Sequence, residues 1–141
     1  TCRTYYASQF AALRSVYLGS ELTYLFSLSR GKEIDTTGGK SGASFTQTHD
    51  GRFIVKHISA RELDMFLANA LQYFAYMADA FFHDLPTILV KIIGVYQVVI
   101  PTGHGKRETK QLVVMEDLFN GRNITHKFDL KVINYIYIYI I

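Results

Sequence analysis

The chain has one cysteine, no tryptophan and two prolines in 141 residues. With Cys2 alone, no disulfide can form within the chain, which fits a reducing compartment. Charge of either sign is scarce in excess: 15 Lys and Arg stand against 12 Asp and Glu, a net +3. The basic residues are spread out, and no helix-turn-helix, zinc-finger or RNA-binding signature is present. Nucleic acid is therefore not an expected partner, whereas a mild basic excess suits contact with anionic lipid headgroups. His49, His57, His83, His104 and His126 lack metal-ligand spacing, so no metal is expected on them. The longest apolar stretch, Leu85 to Ile100, is interrupted by Lys91 and Gly94 and is too short to span a bilayer. No secretory leader is legible. The chain begins at Thr1 rather than Met, which predicts upstream sequence that could carry targeting information. About half of the residues are apolar, at 49%, enough for the core of one domain or part of one.

The informative stretch runs from Gly38 to Lys56. Gly38, Gly39 and Gly42 lie in a turn with Lys40, Ser41, Ala43 and Ser44, and its backbone N–H groups can converge on an anion. Asp50-Gly51 between two β-prone runs signals a tight hairpin. In the second strand, Phe53 and Val55 share one face while Ile54, Lys56 and Ile58 share the other. A lysine between isoleucines is either an edge residue that snorkels to water or a cation held for a purpose. Ser59 and Glu62 then form an S-x-x-E capping box. Leu63, Phe66, Leu67, Ala70, Leu71, Phe74, Met77, Ala78 and Phe81 follow at helical spacing, predicting a helix from 60 to about 82. Glycine turn, strand lysine and helix glutamate is the order in which protein kinases grip nucleotide phosphates. The turn is not a Walker A loop, since Ile34 stands where that motif needs glycine, and it is not G-x-G-x-x-G. Glu62 has two readings, a phosphate-lysine partner or a plain helix cap.

Elsewhere, Phe10, Leu13, Val16 and Tyr17, then Leu22, Leu25, Phe26 and Leu28, predict two short helices within Thr1–Arg30. Ser20 is placed to cap the second. Arg30 to Gly42 reads as a polar loop. Pro86 ends the long helix near His83-Asp84. Ile92 to Ile100 and Glu108 to Met115 read as strands joined by a loop over Pro101–Arg107. The apolar Val113-Val114-Met115 predicts a central strand, and Asn120-Gly121 a turn.

These segments together resemble the small lobe of a phosphatidylinositol phosphate kinase, most closely the type III, PIKfyve-like phosphatidylinositol 3-phosphate 5-kinases. The resemblance rests on Tyr6-Ala7-Ser8-Gln9-Phe10 with Leu13-Arg14, Ser27-Leu28-Ser29-Arg30 and Gly38-Gly39-Lys40-Ser41-Gly42. It continues through Asp50-Gly51-Arg52-Phe53-Ile54-Val55-Lys56, Arg61-Glu62-Leu63-Asp64-Met65-Phe66 and Gly94-Val95-Tyr96-Gln97. It ends with Val114-Met115-Glu116-Asp117-Leu118-Phe119, Gly121-Arg122-Asn123-Ile124-Thr125 and Asp129-Leu130-Lys131.

The resemblance implies an α+β fold: a kinase-like small lobe with an antiparallel sheet, N-terminal helices and one long helix after the lysine strand. It implies catalytic roles for Lys56 and Glu62. It implies nucleotide contacts from Gly38–Ser44, from Lys56 and from a hinge at Met115, Glu116, Asp117 and Leu118, with Asp129 and Lys131 at the lobe junction. ATP and Mg2+ are the implied cofactors, with metal ligands on a large lobe outside this sequence, so the chain alone is expected to be inactive. A membrane phosphoinositide is the implied partner, with scaffold or regulatory proteins, at endosomal membranes. A truncated nucleotide- or membrane-binding module without chemistry is the alternative. The lobe is expected over 1–131. Residues 132–141 depart from the family: the Tyr135–Ile140 alternation reads as an aggregation-prone strand or as a translated AT repeat from a retained intron.

Overall fold

A computed structural model describes residues 1–34, 44–103 and 105–126. In chain order the elements are β1 (Cys2–Tyr5), α1 (Ala7–Leu18), α2 (Glu21–Leu28), β2 (Gly31–Ile34), β3 (Phe45–Thr48), β4 (Phe53–Ile58), α3 (Ala60–Phe82), β5 (Ile92–Thr102) and β6 (Lys106–Glu116). The strands form one six-stranded sheet in the order β1-β5-β6-β4-β3-β2, antiparallel throughout. The fold is α+β, with an antiparallel sheet, two N-terminal helices and one long helix after the lysine strand.

Two strands depart from the sequence reading. The helical spacing over Thr1–Arg30 does not reach its start, because Cys2–Tyr5 pairs with β5 from Cys2↔Val98 to Tyr5↔Val95. Four residues are too few to display a period. Tyr6, at φ 48°, turns the chain out of the strand and into α1. The stretch read as a loop after Arg30 includes β2, paired with β3 from Gly31↔Thr48 to Ile34↔Phe45. All four of its residues are exposed, so it carries no buried alternation to read. The β5–β6 loop is also shorter than expected, since Pro101↔Arg107 and Thr102↔Lys106 extend the ladder into it.

The helices form for legible reasons. Ser20 caps α2 by accepting from Thr23 N at 3.4 Å, and Ser59 and Glu62 form the capping box that starts α3. His83 closes α3, and Asp84 at φ 51° turns the chain away before Pro86.

Alternation along β6 sends Val113 and Val114 to opposite faces of the sheet. Val113 packs with Val95, Phe10 of α1 and Leu63 of α3. Val114 packs with Phe53, Ile93 and Tyr24 of α2. The sheet is therefore covered on both faces. Gly94 permits the second packing: a Cβ there would lie 2.6 Å from Tyr96 Cε2 and 2.7 Å from the hydroxyls of Tyr24 and Tyr96.

Candidate functional site

The strand registers draw a row across the whole sheet: Ile34–Phe45–Lys56–Val113–Val95–Tyr5. Lys56 is the only charge in it. The strand that carries it, β4, lies between β3 and β6, so Lys56 is not an edge residue. A cation in an interior apolar row needs a counter-charge, and α3 supplies one. Lys56 Nζ donates to Glu62 Oε1 at 3.0 Å, with the two side chains 29% and 47% exposed.

Glu62 contacts Lys56 and caps the helix at once, one oxygen each. While Oε1 faces Lys56, Oε2 accepts from Ser59 N at 2.7 Å and Ser59 Oγ at 2.9 Å. The Ser59 N–H, then Lys56, then the Ser59 hydroxyl hold the carboxyl down to about 2. Glu62 is therefore fully charged at neutral pH.

Next to this pair lies a cavity of about 470 Å³, within the usual range for small-molecule sites, roughly 300–1,000 Å³. Ile34, Phe45, Gln47 and Ile54 line it from the sheet, with Val90 and the segment Met115–Phe119 completing the wall. Phe45 stands opposite Lys56 in the register, and Ile54 precedes it by two on the same face. The lining is mainly apolar with a few polar groups.

The segment read as a hinge forms the cavity wall, but its donors are not equal. Glu116 N donates to Lys91 O at 3.0 Å and Asp117 N to Arg52 O at 2.8 Å. Leu118 N–H has no partner among the described residues. The Glu116 carboxylate is spent on Lys91 Nζ, at 2.9 and 3.0 Å. The Asp117 carboxylate accepts from Gln47 Nε2 and from Phe119 N.

Of the remaining sequence candidates, Ser44 is exposed, and its carbonyl accepts from His57 N at 3.0 Å. Gly38, Gly39, Lys40, Ser41, Gly42, Ala43, Asp129 and Lys131 lie outside the described residues. Sequence reasoning missed Ile34, Phe45, Gln47, Ile54, Val90 and Phe119 as lining residues. Phe45 could have been found by pairing the two hairpin strands through Asp50-Gly51. Val90 and Phe119 carry no local signal. Among the described residues no three His, Cys, Asp or Glu are grouped as a metal would need.

The sequence profile of the family described as Phosphatidylinositol-4-phosphate 5-Kinase matches residues 28–135. The chain belongs to this family. Within that kinase family it is 42% identical over 132 residues to the 1-phosphatidylinositol-3-phosphate 5-kinase FAB1B of Arabidopsis thaliana, covering 93% of this chain and 7% of that protein. It is 40% identical over 133 residues to the 1-phosphatidylinositol 3-phosphate 5-kinase FAB1 of Saccharomyces cerevisiae, covering 93% and 6%. It is 43% identical over 132 residues to the human 1-phosphatidylinositol 3-phosphate 5-kinase, covering 92% and 6%. The chain thus spans less than a tenth of the length of these 5-kinases. No helix among its described residues is long and apolar enough to cross a membrane.

Proposed function

We propose that this chain is the nucleotide-holding small lobe of an ATP-dependent lipid kinase, and that it spans residues 1–131. The parent enzyme transfers the γ-phosphoryl of MgATP to the 5-hydroxyl of phosphatidylinositol 3-phosphate. The observation that carries this reading is the Lys56–Glu62 pair beside an apolar cavity, with Phe45 of the lining opposite Lys56 in the sheet, in a chain of this family.

The roles follow from the chemistry of each group. Lys56 presents an ammonium to phosphate oxygens, where charge-assisted hydrogen bonds are strongest. Glu62, ionised at neutral pH, limits the positions Lys56 can take, so the cation waits where the phosphates arrive. This is electrostatic preorganisation. Ile34, Phe45, Ile54 and Met115 offer flat apolar contact to the base, and Leu118 N–H offers it one directed bond. By family resemblance, Gly38–Ser44 is assigned to the phosphates and Asp129 and Lys131 to the lobe junction. In the transfer, the bond from the γ-phosphorus to the ADP oxygen breaks and one to the inositol oxygen forms. The hydroxyl proton passes to a base outside the described residues, where the Mg2+ ligands also lie. The enzyme acts as a peripheral protein at endosomal membranes, with scaffold or regulatory partners.

The test is Lys56→Ala in the full-length protein, assayed with labelled ATP and vesicles containing phosphatidylinositol 3-phosphate. Turnover should fall by about 10²–10³, the range for losing one preorganised charge contact, with the melting temperature unchanged. Near-normal turnover would remove Lys56 from the mechanism.

A further inference from the structure

A half-exposed ion pair holds two elements together only weakly. Lys56–Glu62 therefore does not by itself fix where α3 lies on the sheet. The apolar contacts of Leu63, Phe66 and Phe74 resist separation but are not directional. One further contact between α3 and the sheet is directed. Tyr73 Oη donates to Ile92 O at 2.8 Å and accepts from Ile92 N at 2.8 Å, using both capacities of a hydroxyl. Burial raises the Tyr73 hydroxyl well above its ordinary value, so it stays a donor at any physiological pH.

The place it grips is special. The β5–β6 register slips between Ile92↔Met115 and Gly94↔Val114, leaving Ile93 as the extra residue of a bulge. Side chains satisfy what the ladder leaves: Tyr73 binds Ile92, and Arg14 Nη1 donates to Ile93 O at 2.8 Å. Directly before the bulge, Lys91 bonds the hinge residue Glu116 through both main chain and side chain. Tyr73 is eleven residues beyond Glu62 on α3. That spacing is about 20° in rotation and about 16 Å along the axis, so both face the same way.

We infer that Tyr73 is the positioning residue for the Lys56–Glu62 pair: it pins α3 to the bulge beside the hinge, and so sets the distance at which Glu62 meets Lys56. This rests on reading Lys56 and Glu62 as the phosphate-holding pair.

The test is the acylation rate of Lys56 in this chain under limiting sulfo-NHS-acetate, read by peptide mass spectrometry, with folding checked by circular dichroism. Tyr73→Phe keeps the ring packed on Phe74 and removes only the hydroxyl. Lys56 should react about fivefold faster, the effect of losing a hydrogen bond of ordinary net worth. Glu62→Gln should also accelerate it, and adding Tyr73→Phe to Glu62→Gln should change nothing further, because both act through one contact. Tyr76→Phe, which removes only the bond to Thr87, should leave the rate unchanged. An unchanged rate in Tyr73→Phe beside a raised one in Glu62→Gln overturns the positioning role alone. So does an equal rise in Tyr76→Phe, which would mean general loosening of the helix. No response to Glu62→Gln overturns the reading of the pair itself, and the positioning role with it.

Discussion

Gly94→Ala isolates the packing that seats α2 on the sheet. The added Cβ would sit 2.6–2.7 Å from three atoms of Tyr24 and Tyr96. Their hydroxyls hydrogen-bond each other at 2.7 Å. The Tyr24 ring has no room to swing aside easily: it is 1% exposed and is wedged between Phe53, 5.6 Å away between ring centres, and the Arg14 guanidinium at 4.7 Å. Overpacking of this kind costs about 1–3 kcal/mol. Parting the two hydroxyls adds about 1 kcal/mol. Replacing glycine returns about 0.5–1 kcal/mol, because alanine restricts the unfolded chain. The net loss is roughly 1–3.5 kcal/mol, a large share of the roughly 5–15 kcal/mol that holds a domain folded. Urea unfolding should show a lower midpoint at unchanged slope. Adding Tyr24→Phe should recover part of the loss, since it deletes one of the atoms in conflict. A Gly94→Ala chain within about 0.5 kcal/mol of its parent would refute the reasoning, because surface-like tolerance at this position means that the tyrosine pair moves freely.

Other perturbations are as definite. Glu62 is held at about 2 in the folded chain against an ordinary 4.5, so its stabilisation is complete above about 4.5 and is lost as pH falls toward 2. Half exposure discounts it to about 1 kcal/mol, and Glu62→Gln should flatten that part of the stability curve measured by urea at pH 7, 4 and 3. Arg14→Met should cost about 2–3 kcal/mol in the same assay. It strips Ile93 O of its donor and breaks the paired 2.7 Å contacts to Glu21, although the exposed Glu21 regains water. Burial pushes the Asp50 carboxyl up, but hydrogen bonds from Ser27, Thr48 and Arg52 N outweigh it and hold it below its ordinary value. Ser27→Ala should therefore raise Asp50 in an NMR titration and destabilise the chain by about 1 kcal/mol.

The site was legible in the sequence to the extent that it is local. The Ser59–Glu62 box, the helix it starts and the hairpin over Asp50-Gly51 each depend on residues a few positions apart. Lys56 and Glu62 could be paired on paper because six residues across a strand-to-helix corner leave little room for another geometry. The same reasoning stopped at Gln47 and Asp117, which are seventy positions apart, and at Val90. It overlooked β1 and β2, since a four-residue edge strand has neither a length nor a face that shows in composition. It treated the helix cap and the lysine partner as competing roles for Glu62, whereas a carboxylate has two oxygens and uses one for each.

By itself the sequence determined the extent of the long helix, the turn at Asp50-Gly51 and the order of lysine and glutamate, because capping, turn chemistry and hydrophobic period act over one or two turns of chain. The tertiary structure alone decided that Lys56 lies inside the sheet rather than at its edge, that Leu118 N–H is left unpaired among the described residues, and that Tyr73 and Arg14 close the bulge from two helices. Those outcomes depend on which distant strand pairs with which, and hydrogen-bond register across a sheet is a property of partners, not of a single segment.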